Sequence, residues 1–394
     1  MKTMADFAEM NERGIKNTSP DAEGIGIYVH IPFCVRKCLY CDFPSGPAER
    51  GQIRAYMDAL VREIRMCGEE GARADTVFIG GGTPSIVEVS LMEKVFDELY
   101  RIFKVSPEAE ITMEANPGTL SEEKLIEYRK LGVNRLSIGL QSADDRILRR
   151  LGRIHTYEDF IKSYVCARSA GFDNINADLM FAVPGQTRED YRSTLLSCAS
   201  LKPEHISAYS LIVEEGTPFY GMKLDLPDED TEYDMYDDTA EILERYGYRQ
   251  YEISNYAVPG RESRHNSAYW TGKDYLGFGL AAASLRRGVR YRVTDNMEQY
   301  LKNVRSREEL LTDRQELTEN DRISEFMFLG LRMTDGVSKT EFQNRFGYTV
   351  GEIYDTVIRK HKEYGLLCEE DDRIFLTRHG IHVSNQVMMD FLLT

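Results

Sequence analysis

The sequence predicts an α/β fold in which strand–helix units build a parallel sheet, with a small winged-helix-like unit at the C-terminal end. Three observations carry this. Six short runs rich in β-branched and aromatic residues alternate with stretches of helical spacing from residue 25 to residue 212. Strands joined by helices lie parallel, with the helices outside the sheet. From about Leu317 the pattern changes to three helical stretches, two short β-like runs and a last helix.

The β-like runs cover residues 25–31, 76–80, 109–114, 134–139, 174–181 and 205–212, and each closes on Gly, Pro or a polar residue. Between them, Tyr56, Leu60, Ile64 and Met66 mark one helical face, and Leu125, Ile126 and Leu131 another. Thr187 with Asp190 three residues on reads as a helix start. This order suits a closed barrel, a partial barrel or an open doubly wound sheet, and in each the reactive groups belong at the C-terminal ends of the strands. A Gly- and Arg-rich stretch follows at 275–292. Helices are expected over 319–332, 338–346, 350–365 and near 381–392, with the β-like runs LLCEE and RIFLT around Asp371–Asp372. The expected division is an N-terminal extension (1–24), a core (25–258), a linker region (259–316) and the C-terminal domain (317–394). Winged helices often bind DNA, but Glu369, Glu370, Asp371 and Asp372 make this one locally acidic, which favours a packing or lid role.

A net charge of −16 over 394 residues argues against a nucleic-acid partner. No apolar run reaches the roughly 18 residues of a membrane span. The polar opening segment Met1–Pro20 lacks the apolar stretch of a secretory signal, so a cytoplasmic location is expected. Seven cysteines form a poor disulfide framework. Cys67, Cys166, Cys198 and Cys368 are scattered and read as small buried residues. The other three, Cys34, Cys38 and Cys41, crowd into eight residues just past the first strand.

Their spacing is C-x₃-C-x₂-C. Three thiolates hold three irons of a [4Fe–4S] cubane and leave the fourth iron open. An open iron can chelate the amino and carboxylate groups of S-adenosylmethionine (SAM), whose one-electron cleavage yields a 5′-deoxyadenosyl radical. The alternative is a zinc site with His30 recruited as fourth ligand.

The run YVHIPFCVRKCLYC continues in register into GGGTP (80–84), EANPGTL (114–120), RLSIGLQS (135–142), LGRIH (151–155), NADLMFAVPGQT (176–187) and HISAYSL (205–211). Together these resemble the radical SAM family that holds oxygen-independent coproporphyrinogen III oxidase (HemN) and the haem chaperone HemW. The resemblance implies a radical SAM partial (β/α) barrel with a cluster on Cys34, Cys38 and Cys41. It implies SAM contacts at Tyr28, Tyr40, Gly81, Gly82, Thr83, Glu114, Gln141, Arg153 and Asp178. The chemistry agrees. Glycines let backbone amides approach a ligand, Glu114 suits the SAM amine or ribose, Arg153 a carboxylate, and Asp178 ribose hydroxyls or a sulfonium.

Within that family the oxidase pattern continues as C-x-C past the third cysteine, whereas this chain reads Cys41–Asp42–Phe43. The segment before the first strand is also short for an oxidase. The run HNSAYW (265–270), which holds the single Trp, matches the HNxxYW pattern of HemW proteins. The resemblance therefore implies a haem chaperone, with haem as cargo passed to acceptor haemoproteins in the cytoplasm or at the membrane, and dimerisation when loaded. No catalytic residue is assigned. His265 is expected to ligate haem iron, with Asn266 in the same motif and Tyr269 and Trp270 stacking on the porphyrin. The plain alternative is a structural loop with His265 hydrogen-bonded and Trp270 buried. Arg261, Arg264, Arg286, Arg287, Arg290 and Arg292 are candidates for pairing with the haem propionates. The enzyme alternatives are oxidative decarboxylation of coproporphyrinogen III, or methylation or ring opening of haem.

Overall fold

The computed structural model describes residues 24–302 and 305–393. The polar opening segment and, apart from Gly24, the expected N-terminal extension lie outside the described residues. The described chain divides into two compact units, one of residues 24–268 and 273–316, the other of 269–272 and 317–393.

In the larger unit the order is β1 (Ile25–Ile31), α1 (Arg50–Arg65), β2 (Arg73–Gly81), α2 (Val89–Ile102), β3 (Lys104–Ala115), α3 (Glu122–Lys130), β4 (Arg135–Gln141), α4 (Asp145–Arg150), α5 (Tyr157–Ser169), β5 (Ile175–Phe181), α6 (Arg188–Ser200), β6 (His205–Ser210), α7 (Glu229–Arg245), β7 (Arg249–Glu252) and β8 (Asn255–Ala257). Then come α8 (Arg264–Trp270), β9 (Tyr275–Phe278), β10 (Ala283–Arg286), β11 (Val289–Val293), α9 (Met297–Leu301) and β12 (Leu311–Glu316). Strands β1 to β6 pair in sequence order, all parallel. The sheet runs β12-β11-β10-β9-β1-β2-β3-β4-β5-β6-β8-β7, so it stays open, with β12 and β7 at its edges.

The region 259–316 is not a linker. Its strands β9 to β12 extend the sheet from β1, beginning with a parallel β1–β9 pair. Gly and Arg masked these strands in the sequence. At Gly277 a Cβ would lie 2.2 Å from the carbonyl oxygen of Ala283, so the close passage of the chain there requires glycine.

The two faces of the parallel strands differ. Ile27, Val29, Leu136, Ile138, Leu140, Ile175, Ala177 and Leu179 are fully buried in one hydrophobic core with the helices. The alternate positions on β2 to β6 carry Thr76, Glu110, Thr112, Glu114, Arg135, Ser137, Asn176, Asp178, His205 and Ser207. A parallel sheet covered on both faces reads as continuous hydrocarbon. Here the alternation marks a polar interior.

One buried ionic node ties α1 to the added strands. Glu63 is fully buried and pairs with Arg307 Nε at 3.1 Å. It also accepts from Tyr300 Oη and from the Gly279 amide, each at 2.8 Å. Arg307 in turn lies over the Phe278 ring, 4.5 Å from its centroid.

The smaller unit runs α10 (Glu319–Gly330), β13 (Val337–Ser338), α11 (Lys339–Phe346), α12 (Val350–Glu363), β14 (Leu367–Glu370), β15 (Arg373–Leu376), α13 (Arg378–His382) and α14 (Ser384–Met389). Its sheet order is β13-β15-β14. Helix, strand, two helices and two strands in that order give the expected winged-helix form. The expected last helix is broken at Val383 into α13 and α14. Of the four scattered cysteines only Cys198 is fully buried; Cys67, Cys166 and Cys368 are partly exposed. Among the described residues no helix is long and apolar enough to cross a membrane.

Removing one partner of a buried ion pair leaves the other charge uncompensated. Glu63→Ala is therefore expected to lower stability by about 3–5 kcal/mol, read as a lower urea midpoint. An unchanged midpoint would show that the node does not hold the added strands.

Candidate functional site

The loop carrying Cys34, Cys38 and Cys41 leaves the C-terminal end of β1. It is pinned where it starts and ends, by the Cys34 amide to Gly46 O at 2.9 Å and the Gly46 amide to Pro32 O at 3.0 Å. In its middle the Leu39 amide bonds Leu151 O at 3.1 Å, and the Phe219 amide bonds Leu39 O at 3.1 Å. Leu39 and Tyr40 pack against Ile147, Leu151, Met180, Val183 and Phe219. The three thiols are thus set on a fixed loop, each partly exposed.

The donor set suits a cluster better than zinc. His30 is not available as a fourth ligand. Its Nδ1 accepts from Tyr28 Oη at 2.9 Å, and its Nε2 donates to Pro44 O at 3.2 Å. Burial pushes its pKa down, in keeping with a neutral ring. Among the described residues no three His, Cys, Asp or Glu side chains gather as they would around a single ion. A cubane needs its thiolates at separate corners, whereas zinc needs them in one coordination sphere.

Next to the thiols, three strand-end loops are knitted together. Arg153 Nη1 donates to Cys38 Sγ at 3.6 Å. Its Nη2 donates to Asn116 Oδ1 and to Gly139 O, both at 2.7 Å. Asn116 Nδ2 donates to Thr83 Oγ1 at 2.7 Å. Cys38, Thr83, Asn116 and Arg153 line one cleft, with Val35 and Ile154 beside them. Asn116 was not among the expected site residues, although it stands inside EANPGTL, two positions after Glu114.

The glycine turn works differently from the expectation. The Gly81 amide donates to Glu114 Oε2 at 2.9 Å, the Gly82 amide to Ile31 O at 2.8 Å, and the Thr83 amide to Phe33 O at 2.7 Å. These amides hold the turn against β1 and Glu114 and are not left for a ligand. Glycine is required at 81 and 82 by contact. Gly81 has φ +105° and a Cβ there would meet the His30 ring at 2.3 Å; at Gly82 it would lie 2.6 Å from Phe33 O.

Glu114 and Asp178 face the interior. Burial, with the Asp178 charge nearby, pushes the Glu114 carboxyl up to about 7. Burial raises Asp178 as well, against hydrogen bonds from Asn176 Nδ2 at 2.7 Å and Ser137 Oγ at 3.0 Å. Gln141 ends β4 in the left-handed region, at φ +66°, which costs strain in a non-glycine residue. Tyr40 is placed against Cys38, and burial holds its phenol well above the usual range.

His265 does not join this group. Its ring is 2% exposed, stacks on Phe78 at 5.2 Å between centroids, and its Nδ1 bonds Thr76 Oγ1 at 2.8 Å. Glu110 accepts from the backbone amides of Arg264 and His265, each at 3.1 Å, which caps α8. Thr76 pairs in register with Gly26, the second residue of β1, and with Glu110 on β3, so His265 floors the interior at the end opposite the cysteine loop. Burial lowers its pKa to about 3. In this structure the ring is closed from solvent and already bonded, and it is not presented to a ligand. Asn266 and Tyr269 are partly exposed. Trp270 lies under the Arg332 guanidinium, 4.3 Å from its centroid, and its buried Nε1 has no hydrogen-bond partner.

The arginines are also largely engaged within the chain. Arg286 is buried between Glu69 (3.0 Å) and Asp274 (2.9 Å). Arg292 pairs with Asp313 at 3.2 Å, and Arg264 Nη1 bonds Glu108 O at 2.6 Å. Arg286 thus clamps the end of β10 to the segments before β9 and after α1.

Comparison with known proteins agrees with this geometry. Residues 28–198 match the Radical SAM superfamily and residues 317–383 the HemN C-terminal domain. The chain is 38% identical to the haem chaperone HemW of Bacillus subtilis, covering 93% of this chain and 98% of that one. It is 36% identical to HemW of Lactococcus lactis (93% and 97% covered) and 33% identical to HemW of Escherichia coli (93% and 98%). The crystallised coproporphyrinogen III oxidase HemN of Escherichia coli superposes with a TM-score of 0.84 over 99% of this chain and 94% of that one. At 24% identity that likeness is one of fold.

His265→Ala is expected to cost about 1–3 kcal/mol of stability by emptying the floor and stranding Thr76, while haem affinity stays as in the parent. A selective loss of haem binding at unchanged stability would restore the ligand role. Because the Glu114 carboxyl sits at about 7 and its anion is the form that holds a cation, SAM affinity is expected to rise from pH 6 to pH 8 and level off above. Titration calorimetry across that range checks this, and a flat profile would remove Glu114 from the contact.

Proposed function

The chain belongs to the HemW family of haem chaperones within the radical SAM superfamily, and from that premise we propose that it binds haem and passes it to acceptor haemoproteins, with a [4Fe–4S] cluster on Cys34, Cys38 and Cys41 that takes SAM. The observation that carries the cofactor reading is the fixed three-thiol loop whose neighbouring histidine is already bonded on both nitrogens.

In this reading SAM, bound at the open iron, supplies one-electron cleavage chemistry. The chain's own residues bind and orient. Glu114 accepts from the SAM amine, Asp178 addresses the ribose or sulfonium, and Arg153 meets the carboxylate from a place already fixed by Asn116 and Gly139. Tyr28, Tyr40, Gly81, Gly82, Thr83 and Gln141 shape the surround. Haem is cargo. Asn266, Tyr269 and Trp270 remain the motif's candidates toward it, without His265 as ligand in this conformation. Cytoplasmic residence, acceptors in the cytoplasm or at the membrane, and dimerisation on loading belong to the same proposal.

The enzyme reading draws on the fold shared with HemN. Phe43 stands where the oxidase pattern has its further cysteine, and it is 56% exposed on the cluster loop. That substitution favours the chaperone.

The test is anaerobic. Protein with its cluster reconstituted, SAM and a reductant is offered haem and coproporphyrinogen III in separate reactions, and each tetrapyrrole is followed by mass spectrometry. The expected result is unchanged masses with haem retained on the protein. Loss of carboxyl groups, or a methylated or opened haem, would replace the chaperone reading with an enzymatic one.

A further inference from the structure

We propose that Arg135 is a positioning residue for SAM, the buried countercharge that keeps the interior carboxylates anionic so that they can receive a cationic ligand. This rests on the reading of Glu114 and Asp178 as SAM contacts. Arg135 itself touches none of the thiols.

The observation is an arginine in an unusual place. Arg135 is 2% exposed, among the largest fully buried side chains of the chain. Its Nε is buried without a hydrogen-bond partner, and no carboxylate of the described residues closes on it at ion-pair distance. Buried arginines are normally paired, because an uncompensated charge in the interior is costly. Two other buried polar atoms in the same layer, Thr112 Oγ1 and Asn174 Oδ1, also lack partners. Thr112 is the direct register partner of Arg135 across β3 and β4.

Its position explains what the charge does. Glu114 pairs in register with Ser137, two residues beyond Arg135 on the same face of β4. That is about 7 Å along the strand. Ser137 donates to Asp178, so Arg135, Glu114 and Asp178 share one interior face. The groups facing Glu114 are the Gly81 amide from β2, Arg135 from β4 and Asp178 from β5. Asp178 meets Asn176 on its own strand, Ser137 and Arg135 from β4, Ser207 and Tyr209 from β6, and Arg153 from the segment after α4. Around Arg135 itself stand His205, Tyr251 and the floor residue His265, with burial favouring the neutral form of each. The net result is two carboxylates with Arg135 below them and Arg153 at the cysteine end, and Arg135 is the cation that neighbours Glu114. Without Arg135, the carboxylates hold protons to higher pH, and a protonated carboxyl is a poorer acceptor for the SAM amine and does not attract the sulfonium. The charge is kept out of ion-pair contact, so it supports both carboxylates without occupying their oxygens.

A structural role and this role make opposite predictions. Arg135→Met, in full-length protein with the cluster reconstituted, removes an unpaired buried charge and keeps the length of the side chain. Its urea midpoint is expected to equal or exceed the parent's. Its SAM affinity, measured by anaerobic calorimetry from pH 6 to pH 9, is expected to be about fivefold weaker at pH 7 and to recover at high pH. That is a shift of the binding profile by roughly one pH unit, the scale of a single charge in the neighbouring layer. Arg135→Lys retains the charge and is expected to keep the parent profile. A profile in Arg135→Met superimposed on the parent's overturns the proposal. So does a variant that fails to fold, or one whose SAM affinity falls equally at every pH, since either marks a structural role. If the parent binds no SAM at any pH, the reading of Glu114 and Asp178 falls first, and this inference with it.

Discussion

Glu114, Asp178 and Arg135 lie on the interior face of β3, β4 and β5, and holding charge there is the condition on which the larger unit depends. The opposite face of the same strands is hydrocarbon packed under helices. Burial on both faces would have given a more stable sheet and no site. The interior is kept polar by hydrogen bonds between strands, from Ser137 to Asp178, from Asn176 to Ser137, from His205 to Asn176 and from Tyr251 to His205. Such networks are stable when nearly all members are satisfied. Three of the exceptions among the described residues, Arg135 Nε, Thr112 Oγ1 and Asn174 Oδ1, lie one layer below the carboxylates.

The parallel direction of β1 to β6 then separates the two ends of the interior. Loops at the C-terminal ends bring the cysteines, Thr83, Asn116 and Arg153 together. The N-terminal end is closed by α8, with Glu110 on its amide groups and His265 against Thr76 and Phe78. A motif that reads as a haem ligand in sequence thus acts in this structure as a floor. The chemistry of the residue types permits either role, and burial and hydrogen bonding favour the floor in this structure.

Much of this was legible beforehand where a residue's role is local. The six parallel strands, the cysteine loop and the winged-helix order follow from alternation, spacing and turn residues. What could not be read depends on neighbours far apart in sequence. The strands of 275–316 carry too much Gly and Arg to look like sheet, and they pair with β1 across more than two hundred residues. Arg286 looked like a free cation until Glu69 and Asp274 were seen beside it. The glycine amides were expected to face a ligand, yet Glu114 takes that of Gly81 and Ile31 of β1 that of Gly82. Asn116 and Arg135 sat inside recognised motifs, where one read as turn and the other as strand.

The central claim is that three cysteines leave one iron open to SAM. The most direct measurement is electron–nuclear double resonance on the reduced cluster, with SAM labelled by ¹⁷O in its carboxylate and ¹⁵N in its amine. The account predicts hyperfine coupling from both labels, because both atoms bind the unique iron. A reduced [4Fe–4S] spectrum that shows no coupling to either label, and does not change when SAM is added, would contradict it.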